Sequence, residues 1–265
     1  MIKKISIITI TYNNFEELVK TLKSIPEHQS IESVVINGGT CKDSVSFLDC
    51  YNGRSVSEPD KGISDAFNKG VQLSSGDYLM FLNSGDIISK PKIFLSLINI
   101  ICSSREKILL HASPIFFEYE KPINQKVVLP VKVTGWKNAI GMPCPHPGLI
   151  ASKSLFNCSN SFSNEFKLSM DFHWFMEVYK HNPEIIKYTE IHKLPYVTMD
   201  GKGVSSKFKI RGLKENGKAL YETNSLSIVR IFKLLVAFIL LLLSKSQAGN
   251  SVKNFTKELL GKFKK

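Results

Sequence analysis

The chain is poor in the features that mark a cross-linked, exported or membrane-spanning protein. It has five cysteines, Cys41, Cys50, Cys102, Cys144 and Cys158, an odd number with no CxxC spacing. That argues against a disulfide framework or a cysteine-held zinc and favours reduced thiols. No secretory leader is expected either. Lysines precede an apolar stretch near Met1, but Thr9, Thr11, Tyr12 and Asn13 end it before any cleavage pattern, so it is read as a first strand. The uninterrupted apolar run Leu234 to Leu243 is shorter than the ~20 residues a helical span requires. Acidic residues become scarce late in the chain. From Asp200 onward there are fourteen Lys and Arg against four Asp and Glu, so most of the net charge of +12 belongs to that region.

What remains is an ordinary globular composition, 43% apolar and 22% charged over 265 residues, enough for one large α/β domain with an appendage. The most informative stretch runs from Ser57 to Asp86. Ile63, Ala66, Phe67, Gly70 and Val71 recur at helical spacing, Ser75-Gly76-Asp77 breaks the helix, and Tyr78 to Leu82 has the length and character of a buried strand. Asn83-Ser84-Gly85-Asp86 follows. Asp86 therefore stands just beyond a strand's carboxyl end, where open α/β sheets bind ligands, and a carboxylate there suits a divalent metal.

The surrounding pattern agrees. Ile5 to Ile10 reads as a buried parallel strand, Phe15 to Ile25 as a helix stopped by Pro26 with Asn13 or Asn14 as its cap, and Ser33 to Ile36 as a second strand. Asp43 is expected to cap a short helix with Val45 and Leu48 inward, before a strand near Ser55 and Val56. The first ~90 residues thus alternate β and α as in a doubly wound parallel sheet. Their polar loops, TYNN, NGGT, EPDKG and NSGD, fall on one edge. Further on, the expected elements are a helix over Pro91 to Ile101, strands at Lys107 to His111, Pro114 to Tyr119 and Gly148 to Ser152, and a connecting excursion over Lys121 to Lys132. A helix opening at Ser169 and a strand over His192 to Met199 complete the set.

Those four loops, in that order, with the run SEPDKGISDAFNKG…GDYLMFLNSGD, resemble the nucleotide-sugar-binding half of a family 2 glycosyltransferase. The branch most similar includes the colanic-acid-type surface-polysaccharide transferases. The resemblance is strong over roughly the first 100 residues and weaker over Trp136 to Ser206. It implies a GT-A fold, Rossmann-like, with a mostly parallel sheet flanked by helices. The expected division is a GT-A domain over residues 1–210 (donor half 1–100, acceptor half 101–210) and a basic, apolar helical region over 211–265.

The resemblance implies an inverting transferase using a nucleoside diphosphate sugar, with Mg²⁺ or Mn²⁺ as cofactor and a lipid-linked saccharide as acceptor. Thr9, Thr11 and Tyr12 offer hydroxyls, and Tyr12 a ring, to the nucleotide. Asn37 stands where related enzymes usually carry Asp. Its amide can meet a base edge or ribose, or it can be a turn residue tolerating unusual dihedrals. Asp60 and Asp65 line the nucleotide pocket by resemblance, although Asp65 also suits a helix N-terminus with no ligand. Lys69 either reaches a phosphate or is a solvated surface lysine.

Asp86 is the surviving acid of the family's DxD metal motif, and Asn83 is a weak neighbour for a metal. His146, in the stiff loop Gly141 to Gly148, faces sugar or acceptor, or is a structural loop histidine. Asp171 matches the family's catalytic base, and also suits a helix N-cap. Lys202, in the Gly-rich loop Asp200 to Ser206, is a candidate diphosphate contact.

Leu226 to Leu243 and the cationic tail beyond it are read as a monotopic attachment to the cytoplasmic face of an anionic membrane, with Arg230 and Lys233 snorkelling. The alternative is a buried helical layer or dimer interface. No nucleic-acid partner is expected, because the basic residues interleave with an aliphatic run rather than with an aromatic platform. A sugar-nucleotide-forming nucleotidyltransferase would show a basic Gly-rich first loop, which TYNN is not. A catalytically silent glycan-binding relative remains as the other alternative.

Overall fold

The structure is a computed structural model that describes residues 3–119, 124–156, 161–201, 203 and 208–243. Its central sheet has seven strands in the order β10-β6-β9-β4-β1-β2-β3. The amino-terminal half supplies β1 (Ile5–Thr11), β2 (Ile31–Asn37), β3 (Arg54–Ser57) and β4 (Tyr78–Asn83), all parallel. Helices α1 (Phe15–Ser24), α2 (Lys42–Asp49) and α3 (Ile63–Leu73) connect them. The second half adds β6 (Leu110–Ala112), β9 (Leu149–Ser152) and β10 (Thr189–Ile191), with β9 antiparallel to β4 and β6. A second sheet, β5-β11-β7-β8, is built from β5 (Ile87–Ile88), β7 (Ile115–Tyr119), β8 (Asn124–Val128) and β11 (Val197–Asp200).

The two-residue alternation of a strand sorts β1 and β4 between two cores. Ile8, Ile10, Leu79 and Phe81 face a layer containing Phe67 of α3 and Phe172 and Trp174 of α5 (Met170–His181). Ile5, Ile7, Met80 and Leu82 face Phe94, Leu97 and Ile98 of α4 (Pro91–Ser103). Each such large side chain, fully buried, contributes roughly 1.5–3 kcal/mol. The central strands are therefore committed on both faces, and only the loops at their carboxyl ends are left for chemistry.

Several boundaries differ from the sequence expectation. Cys41, not Asp43, is the N-cap of α2, and Ser44 joins Leu48 on its buried side while Val45 is half-buried. Within the expected excursion, Asn124–Val128 pairs antiparallel with β7, because a hairpin partner satisfies backbone groups that a loop would leave to water. The strand expected from His192 is shorter, Val197–Asp200, and is preceded by the unexpected β10.

The division at residue 210 cuts through α6 (Lys209–Glu222). Ala219 and Leu220 of that helix are wholly buried in the main core, so it is part of the domain. Helix α7 (Ile228–Leu243) follows and keeps a broad apolar face in solvent: Ile228 is 87% exposed, Phe232 66% and Leu235 57%. Its Arg230 is turned inward, while Lys233 is exposed and lies along the domain surface. Arg230 is buried and donates to Ser225 O, and Lys233 Nζ donates to Asn138 O at 3.0 Å, so the polar side of the helix is turned to the domain. Among the described residues no helix is long and apolar enough to cross a membrane, and the tail beyond residue 243 lies outside them.

Candidate active site

The turn after β4 is built for a carboxylate. Gly85 has φ +105°, a conformation that L side chains rarely adopt, and its N–H donates to Thr21 Oγ1 at 2.9 Å. This folds Asp86 back onto its own strand. Its Oδ2 accepts from Asn83 N at 3.0 Å and Asn83 Nδ2 at 3.4 Å, and its Oδ1 from Asp200 N at 3.3 Å. Asp86 is only 3% exposed, and among the described residues no basic side chain pairs with it. Burial raises its carboxyl to about 6; the hydrogen bonds oppose that shift, and the nearby Asp200 charge adds to it. Two acids from distant segments thus meet in a site that penalises the Asp86 charge, a donor set that a divalent cation relieves. The residues present fit such an ion.

A cleft of about 430 Å³ opens beside this turn, lined by Asn83, Asp86, His146, Lys167, Asp171 and Asp200 among others. Asp171 sits in the first turn of α5, whose N-cap is Ser169, and its Oδ1 accepts from Phe172 N at 2.7 Å. Burial raises its carboxyl above the usual range, and His146 pulls it back. Burial likewise lowers the His146 imidazole, which stacks on Phe81 at 5.3 Å, and the Asp171 charge opposes that. A neutral histidine beside a carboxylate of raised basicity can orient a hydroxyl without quenching the base. Asp171 and His146 also line a second cleft of about 490 Å³, with Phe117, Lys126 and Met142 on its other side. The pair stands at the wall between two cavities.

The loop that delivers Asp171 is fixed from far along the chain. Glu215 Oε2 on α6 accepts from Lys167 N at 3.0 Å, Leu168 N at 2.8 Å and Ser169 N at 3.1 Å. Arg211 Nε donates to the same carboxylate at 3.1 Å. Lys167 itself reaches Lys61 O at 3.3 Å, a contact to the loop before α3.

The remaining expected residues fall into two groups. Tyr12 is 69% exposed and open for stacking. Asp60 lies against the NGGT loop so closely that a Cβ at Gly38 would stand 1.5 Å from its Oδ2, and its Oδ1 accepts from Gly62 N at 2.8 Å. Asp65 accepts from Lys61 N at 3.0 Å, securing the same loop.

The others are turned inward. Thr9 is fully buried and its hydroxyl has no partner among the described residues, so it belongs to the sheet core. Thr11 is 4% exposed and donates weakly to Asn14 O at 3.5 Å. Asn37 is wholly buried at the end of β2, donating to Ser57 Oγ at 2.8 Å and accepting from Gly39 N at 3.1 Å, with extended rather than unusual backbone dihedrals. Lys69 is half-buried and paired: it holds Glu58 at 2.9 Å and Pro59 O at 2.7 Å. Lys202 lies outside the described residues.

Sequence reasoning passed over Asp200, Lys167 and Glu215 as site residues, and took Asn13 only as a possible helix cap. Asn13, at φ +51°, accepts from Thr40 N at 2.8 Å and Cys41 N at 2.9 Å and so ties the first loop to the second. Of the four, only Asp200 carried a local signal, an acid before glycine at a strand end, like Asp86.

Residues 6–127 match the family described as Glycosyl transferase family 2. An uncharacterized glycosyltransferase of Mycobacterium tuberculosis is 41% identical over 95 residues, 34% of this chain and 36% of that protein. One from Rickettsia bellii is 29% identical over 100 residues, 36% of this chain and 14% of that one. The match therefore spans about a third or less of these relatives' length.

Among solved structures, the mannosyltransferase PcManGT of Pyrobaculum calidifontis, in complex with GDP-Man and Mn²⁺, superposes with TM-score 0.61 at 14% identity, covering 98% of this chain and 81% of that one. S. aureus TarS 1–349 with UDP gives 0.58 at 16% identity over 89% and 70%. M. tuberculosis glucosyl-3-phosphoglycerate synthase with Mn²⁺ and UDP gives 0.57 at 15% over 83% and 80%. The fold is GT-A.

Proposed function

From the match of residues 6–127 to glycosyl transferase family 2, we propose that the protein is a member of that family and transfers a sugar from a nucleoside diphosphate sugar to a saccharide hydroxyl with inversion. The observation that carries this reading is the convergence of Asp86, Asp200 and Asp171 on one cleft. Asp171 takes the proton of the acceptor hydroxyl as its oxygen attacks the anomeric carbon. The bond to the diphosphate oxygen breaks on the opposite face, and no covalent sugar intermediate is needed. Neutral His146 orients the hydroxyl at Asp171, and the second cleft on their far side seats the acceptor. Asp86 and Asp200 would hold Mg²⁺ or Mn²⁺, which when bound offsets charge on the departing diphosphate. Tyr12 stacks on the base, Asp60 holds the nucleotide loop, and Lys167 adds positive charge at the cleft.

The test is transfer and hydrolysis with a panel of UDP-, GDP- and dTDP-sugars, with and without Mn²⁺, reading the anomeric configuration of the product. Retention of configuration, or turnover unchanged in both Asp86→Asn and Asp171→Asn, overturns the reading.

The acceptor is proposed to be lipid-linked, as part of surface-glycan synthesis, on the support of the exposed apolar face of α7. A face of that breadth in water is unfavourable, and an acyl boundary beneath anionic headgroups covers it. Phe232→Glu with Leu235→Glu, both exposed and outside the core, is expected to abolish flotation with anionic liposomes while leaving donor hydrolysis intact. Undiminished flotation sinks the membrane assignment alone.

A further inference from the structure

At the edge of the seven-stranded sheet lies a second cluster of potential ligands, and none of its members lines the cleft of Asp86 and Asp171. β10 runs parallel to β6 with Glu190 in register with His111. His192 follows Glu190 by two residues, which returns its side chain to the same face of the strand, and its N–H is tied to Ala112 O at 2.8 Å. Three side chains are thus aimed at one point by backbone pairing. His111 Nδ1 and His192 Nε2 are 3.2 Å apart, His111 Nδ1 and Glu190 Oε2 3.4 Å, and His192 Nε2 and Glu190 Oε2 3.9 Å.

We propose that His111, Glu190 and His192 form a binding site for a zinc-class divalent cation that clamps β10 to β6. Ligands held at zinc's 2.0–2.1 Å in a tetrahedron stand roughly 3.3–3.4 Å apart. The observed separations bracket that spacing, whereas an octahedral shell of similar bond length would close them to about 3 Å. Two imidazole nitrogens and one carboxylate oxygen are the set that imidazole-preferring metals take, and hard, oxygen-seeking Mg²⁺ does not.

The elements supply rigidity and access together. His111 is 2% exposed and stacked on His192 with ring centroids 5.4 Å apart, while Glu190 is 46% exposed and leaves the cluster open to solvent on one side. β10 is only three residues long, and a clamp there steadies the segment that continues into β11 and Asp200.

The test uses the untagged full chain, stripped of metal, titrated with Zn²⁺ against a chromophoric chelator and with Co²⁺ by visible absorption. Wild type and Asp86→Asn are expected to bind one equivalent of Zn²⁺ with equal affinity, and Co²⁺ to show the intense bands of a tetrahedral site. His192→Ala and Glu190→Gln, both at solvent-reached positions, are expected to bind at least about tenfold more weakly. Thermal unfolding should rise with Zn²⁺ in wild type and not in His192→Ala. Absence of stoichiometric Zn²⁺ binding overturns the proposal. So does equal binding in His192→Ala and Glu190→Gln, or loss of binding in Asp86→Asn alone, which would place the ion in the cleft.

Discussion

The two halves of the cleft are held in place by different means. On the Asp86 side, loops that follow neighbouring parallel strands hold one another: Asn13 bridges the first two, Asp60 packs on Gly38, and Asp86 folds onto Asn83, with Thr21 of α1 and Asp200 N of β11 adding contacts. On the Asp171 side, the loop has no neighbouring strand to lean on and takes its backbone bonds from Glu215, 46 to 48 residues further on. One side is a consequence of strand order. The other depends on a helix from the basic end of the chain docking correctly. Damage to the carboxyl-terminal helices should therefore impair the base while leaving the metal side intact.

The largest expected effect separates chemistry from binding. Asp171→Asn should lower kcat by roughly 10²–10⁴-fold with donor affinity nearly unchanged, measured by single-turnover transfer and by nucleotide binding.

Asp86→Asn should instead abolish the Mn²⁺-induced rise in Tm. The pH dependence follows from its raised carboxyl. The folded chain holds a proton on Asp86 up to about pH 6, whereas the unfolded chain releases it near 3.8. Ionising this group therefore costs the metal-free protein stability, a cost absent below pH 4 and complete above pH 6, on the order of 3 kcal/mol. In EDTA, wild type should lose stability relative to Asp86→Asn as the pH is raised across that window. A constant difference would show that Asp86 is not desolvated.

Glu215→Gln should cost about 1–3 kcal/mol by denaturant unfolding, because three backbone N–H groups lose a charged acceptor. It should also lower kcat about tenfold with little change in Mn²⁺ affinity. Equal losses on both sides of the cleft would erase the contrast drawn above. The smallest effect belongs to Lys69→Met, expected within about threefold of wild type, since that ammonium is already committed to Glu58 and Pro59 O.

Much of the donor half was legible in the residues. The β-branched run at Ile5, the stripe of α3 and the turn ending in Asp86 are local patterns, and each element formed where its period placed it. Side-chain direction was not legible. Asn37 and Thr9 carry the right chemistry near the right loops but are buried, and Lys69 is committed to Glu58; burial and pairing depend on what packs against a residue rather than on its type. The same holds for Arg230 and Lys233, which a hydropathy pattern assigns to the membrane face and the domain surface claims for itself.

By itself, the sequence determined the alternation of strand and helix and the edge on which the polar loops gather, because periodicity and turn chemistry act over a few residues; it offered Asp86 as a candidate from its place after a strand, and Asp171 through the family resemblance. Tertiary structure alone decided that Asp200 joins Asp86, that Glu215 secures the approach to Asp171, and that two histidines and a glutamate from separate strands face one another. Those meetings span up to 114 residues of chain, a separation that strand order and helix docking bridge and that no local pattern encodes.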